Sequence, residues 1–350
     1  DTLSLHDALP IWLKDALLED LLWADTVVLQ REASPIALKW ACATKQMGRW
    51  LIFELDDLLF SPASHLKHRK AILENGERLR AIAAMADIIS VSTQRLQAAL
   101  PTAVQSKAHV TPNYATPPAC PAAMQSEANA AYPVTLVLAS SDAMSLSELL
   151  PALKAVQANP PTPLEILVVG AMAEPLRQQQ LTVRTSPNLA LNEFKALLCK
   201  QTNPIGLIPL DNSPFSASKS AIKHFDFSMC GIPSICSDLP PYSDVVTSGV
   251  DGLLVPDQEQ AWRQAITALC TDANLRQKLA AQALHRVEQD HNLMANIQAW
   301  RGILDSLPSG RAPRQLTSPI LDVALRLELG PIQRIKMGLR QLNEKRKQKR

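Results

Sequence analysis

Short apolar runs alternate with helical segments along most of the chain, and this alternation constrains the fold more than any other feature. In the first third, four runs are typical of buried parallel strands, at 25–30, 50–55, 88–92 and 109–113. Helices are predicted between these runs, at 35–47, 69–85 and 93–100. Such an alternation forms parallel βαβ units, so we expect a Rossmann-like α/β architecture with functional residues at the carboxyl ends of the strands.

A second series of strands and helices begins near residue 134. Its strands are predicted at 134–139, 164–170, 205–209 and 233–237, and its helices at 147–157, 191–200, 218–229, 258–271 and 273–289. The stretch 119–133 between the two series is rich in Pro and Ala and is predicted to be a linker. We therefore expect two Rossmann-like domains with parallel sheets that face a cleft, over 12–118 and 134–305.

The two ends of the chain differ from the rest. Residues 1–11, DTLSLHDALPI, resemble the translation of a sequencing adapter and are excluded from the fold reasoning; a native amphipathic start is the alternative. We expect the first domain to be partial, because 12–115 supplies too few βαβ units for a whole one. The segment 306–350 is predicted to be a basic helical tail, with eight Lys or Arg against one Glu from Pro331 onward. It is either a solvated helical end or a contact with an anionic membrane surface.

Composition excludes several classes of protein. The 350 residues include only 11 Gly, without the glycine-rich patterns of dinucleotide or P-loop sites. Six Cys without a CxxC pair are typical of reduced thiols in a cytosolic protein, and seven His without HxxxH or HExxH spacing give no zinc site. No run of eighteen apolar residues and no basic leader occur. We expect a cytoplasmic protein, at most peripheral at the inner face of the membrane, with no nucleic-acid partner.

The segment 204–256 carries the pattern that points to chemistry. A buried strand leads to a polar turn and a helix predicted to begin at Ser218. The free N–H groups and the dipole at such a helix start favour an anion. Lys219 and Lys223 are four residues apart and would share one helix face beside that anion, with Asp226 on roughly the same face to accept hydrogen bonds from sugar hydroxyls. A solvated, ion-paired helix face is the alternative.

This segment resembles the C-terminal half of the glycosyltransferase group 1 superfamily, also called family 4, which has the GT-B fold. The family pattern is a Glu, seven residues, a second Glu, and then Gly-x-Pro before a strand. Asp226 falls on the second Glu, and Gly231-Ile-Pro233 follows at the family spacing. Ser218 stands in place of the first Glu, so one acidic sugar contact is absent. The run GVDGLLVP at 249–256 and the stretch 24–60 are also similar to parts of related bacterial transferases.

The resemblance implies a glycosyltransferase that moves a sugar from a nucleotide-sugar donor to a glycan, lipid-linked or other acceptor in surface polysaccharide or glycan biosynthesis. Retention at the anomeric carbon, and independence of any metal or cofactor, are expected with it. The expected diphosphate contacts are Lys219, Ser220 and Lys223, and the expected ribose or sugar contacts are Asp226, Ser141 and Asp142. For Ser141 and Asp142 the alternative is an ordinary turn at a helix start.

Residues after the strands of the first domain are candidates for the acceptor side. Arg31 and Asp57 each follow a strand end, and we interpret them as possible acceptor contacts. Glu54, Asp56 and Asp57 also resemble a metal-binding DxD motif, but we expect them to end a strand at the cleft without a metal. Asn113 either fixes the hinge between the domains or is a turn residue.

The sequence leaves two other functions open. One is a non-catalytic or truncated relative that acts as a binding protein, and the other is a nucleotide-sugar epimerase of the same fold. No residue is assigned as catalytic.

Overall fold

The structure is a computed structural model that describes residues 15–16, 18–64, 66, 68–118, 133–140, 146 and 148–308. Within them, the strands are β1 (Thr26–Gln30), β2 (Trp50–Leu55), β3 (Ile88–Val91), β4 (Ala108–Val110), β5 (Val134–Ser140), β6 (Leu164–Gly170), β7 (Arg184–Ser186), β8 (Pro204–Ile208), β9 (Ser234–Ser237) and β10 (Leu253–Val255). The helices are α1 (Leu18–Trp23), α2 (Pro35–Gln46), α3 (Arg69–Glu74), α4 (Gly76–Met85), α5 (Gln94–Ala99), α6 (Thr102–Gln105), α7 (Leu149–Ala158), α8 (Ala173–Gln178), α9 (Leu191–Cys199), α10 (Pro214–Ala217), α11 (Ile222–Met229), α12 (Tyr242–Val245), α13 (Glu259–Thr271), α14 (Ala273–Asp290) and α15 (Leu293–Asp305).

The first sheet has four parallel strands in the order β1-β2-β3-β4. Because parallel crossovers are right-handed and all of these advance in one direction, the connecting helices lie on one face of the sheet. The other face is covered by α15, whose Ile303 packs against Ile52 and Ile88. Val28 is the β1 neighbour of Ile52 in the same row, and it stays 45% exposed.

The second sheet has six parallel strands in the order β10-β9-β8-β5-β6-β7. The order reverses between β5 and β8, which is the arrangement of a doubly wound nucleotide-binding sheet. Helices cover both faces, and successive residues of β5 alternate between two cores: Leu136 and Leu138 lie in one, Val137 in the other. Trp262 is buried in the first of these cores. The predicted α/β fold with two parallel sheets is confirmed.

Some local predictions need correction. The helix predicted at 69–85 is two helices, α3 and α4, that meet at Asn75 and Gly76, two residues with poor helix propensity. The residues of α15 were assigned to the second domain because they follow it in the chain, yet the helix packs on the first sheet. Residues 1–11, the linker 119–132 and the tail from 309 lie outside the described residues.

In the part of the chain that the structure describes, no helix has both the length and the apolar character needed to cross a membrane.

Candidate functional site

The candidate site begins at the carboxyl end of β8, beside the point where the strand order of the second sheet reverses. All five residues of β8 are buried, so this strand is a central support of the sheet. In open α/β sheets, ligands bind outside the carboxyl ends of the strands at this reversal. The segment that leaves β8 contains α10, a short loop and α11, and it includes most of the predicted donor contacts.

The predicted start of the donor-side helix is wrong. Ser218 is the C-cap of α10, and its hydroxyl donates to the carbonyl of Pro214 at 2.8 Å. The next helix, α11, begins four residues later at Ile222. Lys219 therefore lies in the loop between the helices, and it does not share a helix face with Lys223. A separate helix forms here because the sequence before Ser218 carries its own N-cap and an initial proline.

The predicted diphosphate contacts surround the start of α11. Ala221 precedes this helix and provides no side-chain cap, so the N–H groups of the first turn have no capping acceptor from it. Lys219 and Ser220 come directly before this start, and Lys223 is the second residue of the helix; all three are half-buried. An uncapped helix start with two lysines nearby is suited to bind an anion.

Asp226 lies on the buried side of α11 and forms an ion pair. Its side chain is 12% exposed, and its Oδ1 is 2.9 Å from Nζ of Lys195, a fully buried residue of α9. Lys195 also donates to the carbonyl and hydroxyl of Thr116, at 2.5 and 2.8 Å. Burial raises the pKa of Asp226, and Lys195 acts against this rise. The contact of Asp226 with ribose or sugar stays a prediction.

Two further donor-side predictions concern Ser141 and Asp142. Both follow β5 in the sequence, and both lie outside the described residues.

The predicted acceptor-side residues meet at the carboxyl edge of the first sheet. Arg31 follows β1, and its Nη2 donates to Oδ2 of Asp57 at 2.8 Å, just beyond β2. Its Nη1 donates to Oδ2 of Asp56 at 3.1 Å. Arg31 has φ 56°, in the left-handed region that non-glycine residues rarely adopt. Arg31, Asp56 and Asp57, which we call the edge cluster, thus form one hydrogen-bonded group.

Burial makes the carboxyl groups at this edge harder to ionise. It raises the pKa of Glu54, and the nearby charge of Asp56 acts in the same direction. Burial also raises the pKa of Asp56, while Arg31 and, more weakly, Lys219 lower it. Because Lys219 belongs to the second sheet's segment, the two sheets come within electrostatic reach of each other here. Among the described residues, no group of three or more His, Cys, Asp or Glu side chains is placed to hold a metal ion.

Direct hydrogen bonds also join the first sheet to the loop before α11. The hydroxyl of Thr93 donates to the carbonyl of Ser218 at 2.9 Å. The side-chain amide of Asn113 donates to Oγ of Ser220 at 2.8 Å. Asn113 was expected to be a hinge or turn residue, and its side chain contacts the predicted donor loop.

Solved structures are similar to this chain with its two parallel sheets. Sucrose-phosphate synthase from Thermosynechococcus elongatus matches with 18% identity over 81% of this chain and 74% of its own, at a TM-score of 0.59. HepE from Anabaena, in complex with UDP and glucose, matches with 18% identity over 83% of this chain and 80% of its own, also at 0.59. Both are GT-B glycosyltransferases. This chain has the GT-B fold.

A third GT-B structure is TarM from S. aureus, which matches with 12% identity over 74% of this chain and 51% of its own, at a TM-score of 0.53. No protein-family model matches the sequence, and no curated protein is similar enough in sequence to match it.

Sequence reasoning missed two buried polar residues of this GT-B chain. Lys195 lies three residues before the buried Leu198, so its position on the apolar side of α9 was the available signal. His224 lies on α11, 3% exposed, with Nδ1 at 2.8 Å from Oγ of Ser234. Burial lowers the pKa of His224 to about 4. Nothing in the sequence around His224 separates it from an exposed histidine.

Proposed function

We propose that this chain is a glycosyltransferase that takes its sugar from a nucleoside-diphosphate donor. The observation that carries the proposal is the position of the uncapped start of α11, with Lys219, Ser220 and Lys223 around it, at the strand-order reversal of the second sheet. Backbone N–H groups and lysine side chains are groups that bind a diphosphate. The similar structures of HepE were solved with UDP and with UDP-glucose, which supports this class of donor.

For the transfer itself, the protein has to hold the donor and the acceptor next to each other and to stabilise the negative charge of the leaving diphosphate. The bond between the anomeric carbon and the donor phosphate oxygen breaks, and a bond to an acceptor hydroxyl oxygen forms. The acceptor proton leaves with the diphosphate or passes to solvent. Negative charge develops on the departing diphosphate, and we propose that Lys219, Lys223 and the helix N–H groups stabilise it without a metal ion.

We place the acceptor at the edge cluster of Arg31, Asp56 and Asp57. The cluster presents carboxylate and guanidinium groups, which form hydrogen bonds to sugar hydroxyls. Asp56 is also within electrostatic reach of Lys219, so an acceptor held there lies next to the proposed donor site. The family resemblance supports a glycan, lipid-linked or other acceptor, and a transfer that retains the anomeric configuration.

Donor binding is tested with UDP, GDP, ADP and TDP and their sugars, followed by transfer and hydrolysis assays with and without a metal chelator. In Lys223→Ala, the dissociation constant of the bound nucleotide is expected to rise about 10- to 150-fold, the worth of a hydrogen bond to a charged group. The control is Lys154→Ala, because Lys154 is an exposed lysine of α7 in the same half of the chain, bonded to Gln179. Its affinity is expected to equal that of the wild type.

The outcomes separate the candidate functions. If none of the four nucleotides or their sugars binds, the glycosyltransferase proposal is wrong. Binding without transfer or hydrolysis favours the non-catalytic relative, for which one observation speaks: the hydroxyl of Ser218, at the position of the family's first Glu, is bonded to Pro214. Equal nucleotide affinity in Lys223→Ala and Lys154→Ala would refute the assigned diphosphate contact.

A further inference from the structure

The loop before α11 belongs to the second sheet by sequence, but the first sheet holds it in place. Phe215, on α10, is 2% exposed and packs in the hydrophobic core of the first sheet, a core that includes Leu55, Val91 and Leu96. Phe215 thus follows a strand of the second sheet in the sequence but packs in the core of the first sheet, so it joins the two halves of the molecule, each built on one sheet. This contact anchors the segment that leads to Lys219.

The two neighbours of Lys219 are bonded to the first half of the chain as well. Thr93, which follows β3, donates to the carbonyl of Ser218, and Asn113, which follows β4, donates to the hydroxyl of Ser220. The ammonium group of Lys219 itself lies 4.9 Å from the ring centre of Phe215. Residues of the first half of the chain therefore help to hold the loop from Ser218 to Ala221 in its conformation, together with bonds from the loop to α10.

We propose that Thr93 and Asn113 are positioning residues for the donor diphosphate. This proposal rests on the proposed function. Thr93 and Asn113 do not touch the donor; they fix the loop so that Lys219, Ser220 and the backbone N–H groups at the start of α11 are arranged before the donor arrives. Phe215 anchors the same loop through its side chain.

The physical effect is on the cost of donor binding. A loop that is already ordered loses little conformational entropy when the diphosphate binds, whereas a loop released from the first half of the chain must be ordered at the expense of affinity. Donor affinity should therefore depend on two residues that contact no part of the donor. It should also decrease when the two halves of the molecule separate, because the hydrogen bonds from Thr93 and Asn113 are lost together.

The decisive variants change the positioning bonds and leave the rest of the fold in place. Thr93 also caps α5 by accepting from the N–H of Leu96 at 3.0 Å, so Thr93→Asp is chosen because aspartate keeps a good N-cap and cannot donate to Ser218. Thr93→Ser keeps both hydrogen bonds and is the rescue variant. Asn113→Ala removes the second bond without adding charge.

The matched control is Arg95→Ala. Arg95, on α5, forms an ion pair between the two halves, with Nε 2.5 Å and Nη2 2.8 Å from the carboxylate oxygens of Asp244. Its hydrogen bonds run to Asp244 and not to the loop, so it tests whether any lost contact between the halves has the same effect.

Two measurements are made on the full chain. Hydrogen exchange of the backbone amides from Lys219 to Ile222 reports the order of the loop without a ligand. Titration with UDP, or with whichever of GDP, ADP and TDP the wild type binds, reports donor affinity. Thr93→Asp and Asn113→Ala are each expected to speed exchange in the loop. Asn113→Ala is expected to raise the dissociation constant about 2- to 10-fold, the range for one neutral hydrogen bond. Thr93→Asp is expected to raise it by more, because its carboxylate also repels the diphosphate. Thr93→Ser and Arg95→Ala are expected to match the wild type.

The results separate this proposal from the one on which it rests. Unchanged exchange and affinity in Thr93→Asp and Asn113→Ala, in a chain that binds nucleotide, would overturn the positioning role alone. An equal loss of affinity in Arg95→Ala would overturn it too, since the effect would then belong to domain contact in general. A wild type that binds none of the four nucleotides overturns both proposals, whatever the exchange rates.

Discussion

Replacing Lys195 with Met tests the buried ion pair between Lys195 of α9 and Asp226 of α11. Lys195 is fully buried, and its ammonium group lies 2.5 and 2.8 Å from the two oxygens of Thr116 and 2.9 Å from Oδ1 of Asp226. Met has a side chain of similar length and removes the charge without leaving a large cavity. The change therefore isolates the electrostatic role of the lysine from its packing.

The magnitude follows from what the substitution leaves behind. The carboxyl group of Asp226 is only 12% exposed, and without Lys195 it has lost its cation. Removing one partner of a buried ion pair typically costs about 3–5 kcal/mol. The remaining exposure of Asp226 allows some hydration, so we expect a loss near the lower limit, about 3 kcal/mol, in urea unfolding at pH 7.5. That is a large part of the 5–15 kcal/mol by which a domain is typically stable.

The loss should also depend on pH. Burial already raises the pKa of Asp226, and Lys195 opposes that rise, so the pKa increases further in Lys195→Met. The folded variant then binds a proton at a pH where the unfolded chain does not, so its stability falls as pH rises through the folded pKa. The deficit of the variant relative to the wild type should accordingly be smaller at pH 5 than at pH 8.

Two further proteins complete the test. Lys195→Met combined with Asp226→Asn should be less destabilised than the sum of the two single changes, because the second change removes the stranded charge. Lys70→Met is the control, since Lys70 pairs with Glu74 on the surface at 3.9 Å with 91% and 63% exposure, and a change of less than about 0.5 kcal/mol is expected. If Lys195→Met costs no more than Lys70→Met, or if the double variant shows simple additivity, the reasoning is refuted.

Two other substitutions test buried positions of the second half. Burial lowers the pKa of His224 to about 4. Between pH 6.5 and 4 the unfolded chain therefore binds a proton that the folded chain does not, and the free energy of unfolding decreases as the pH is lowered. From pH 7.5 to 5, urea unfolding should show a loss about 2 kcal/mol greater in the wild type than in His224→Gln; equal losses would contradict the assignment. A Cβ on Gly206 would lie 2.6 Å from Cδ2 of Phe227, so Gly206→Ala should lower the free energy of unfolding by about 1–3 kcal/mol, and Phe227→Leu in the same chain should restore part of it. A thermal unfolding midpoint equal to that of the wild type would show that the ring moves aside freely.

The sequence alone determined those strands whose burial on both faces produces a continuous run of apolar residues. The strands 50–55 and 164–170 were predicted with the bounds they have in β2 and β6, because a strand buried on both faces is a continuous apolar run between polar ends. It also placed Arg31 and Asp57 after strand ends, which brings residues of neighbouring parallel strands to one edge of a sheet. The two-sheet α/β fold follows from these signals.

Only the tertiary structure decided which residues of different elements meet. Phe215 lies in the core of the other half of the chain, α15 covers the first sheet, and Lys195 neutralises Asp226 across two helices. The donor-side helix was predicted to begin at Ser218, but it begins at Ile222, because a separate short helix, α10, ends at Ser218. Periodicity and capping patterns report only a residue's near neighbours in sequence. Contacts between residues dozens of positions apart depend on how the finished sheets pack, so no local pattern encodes them.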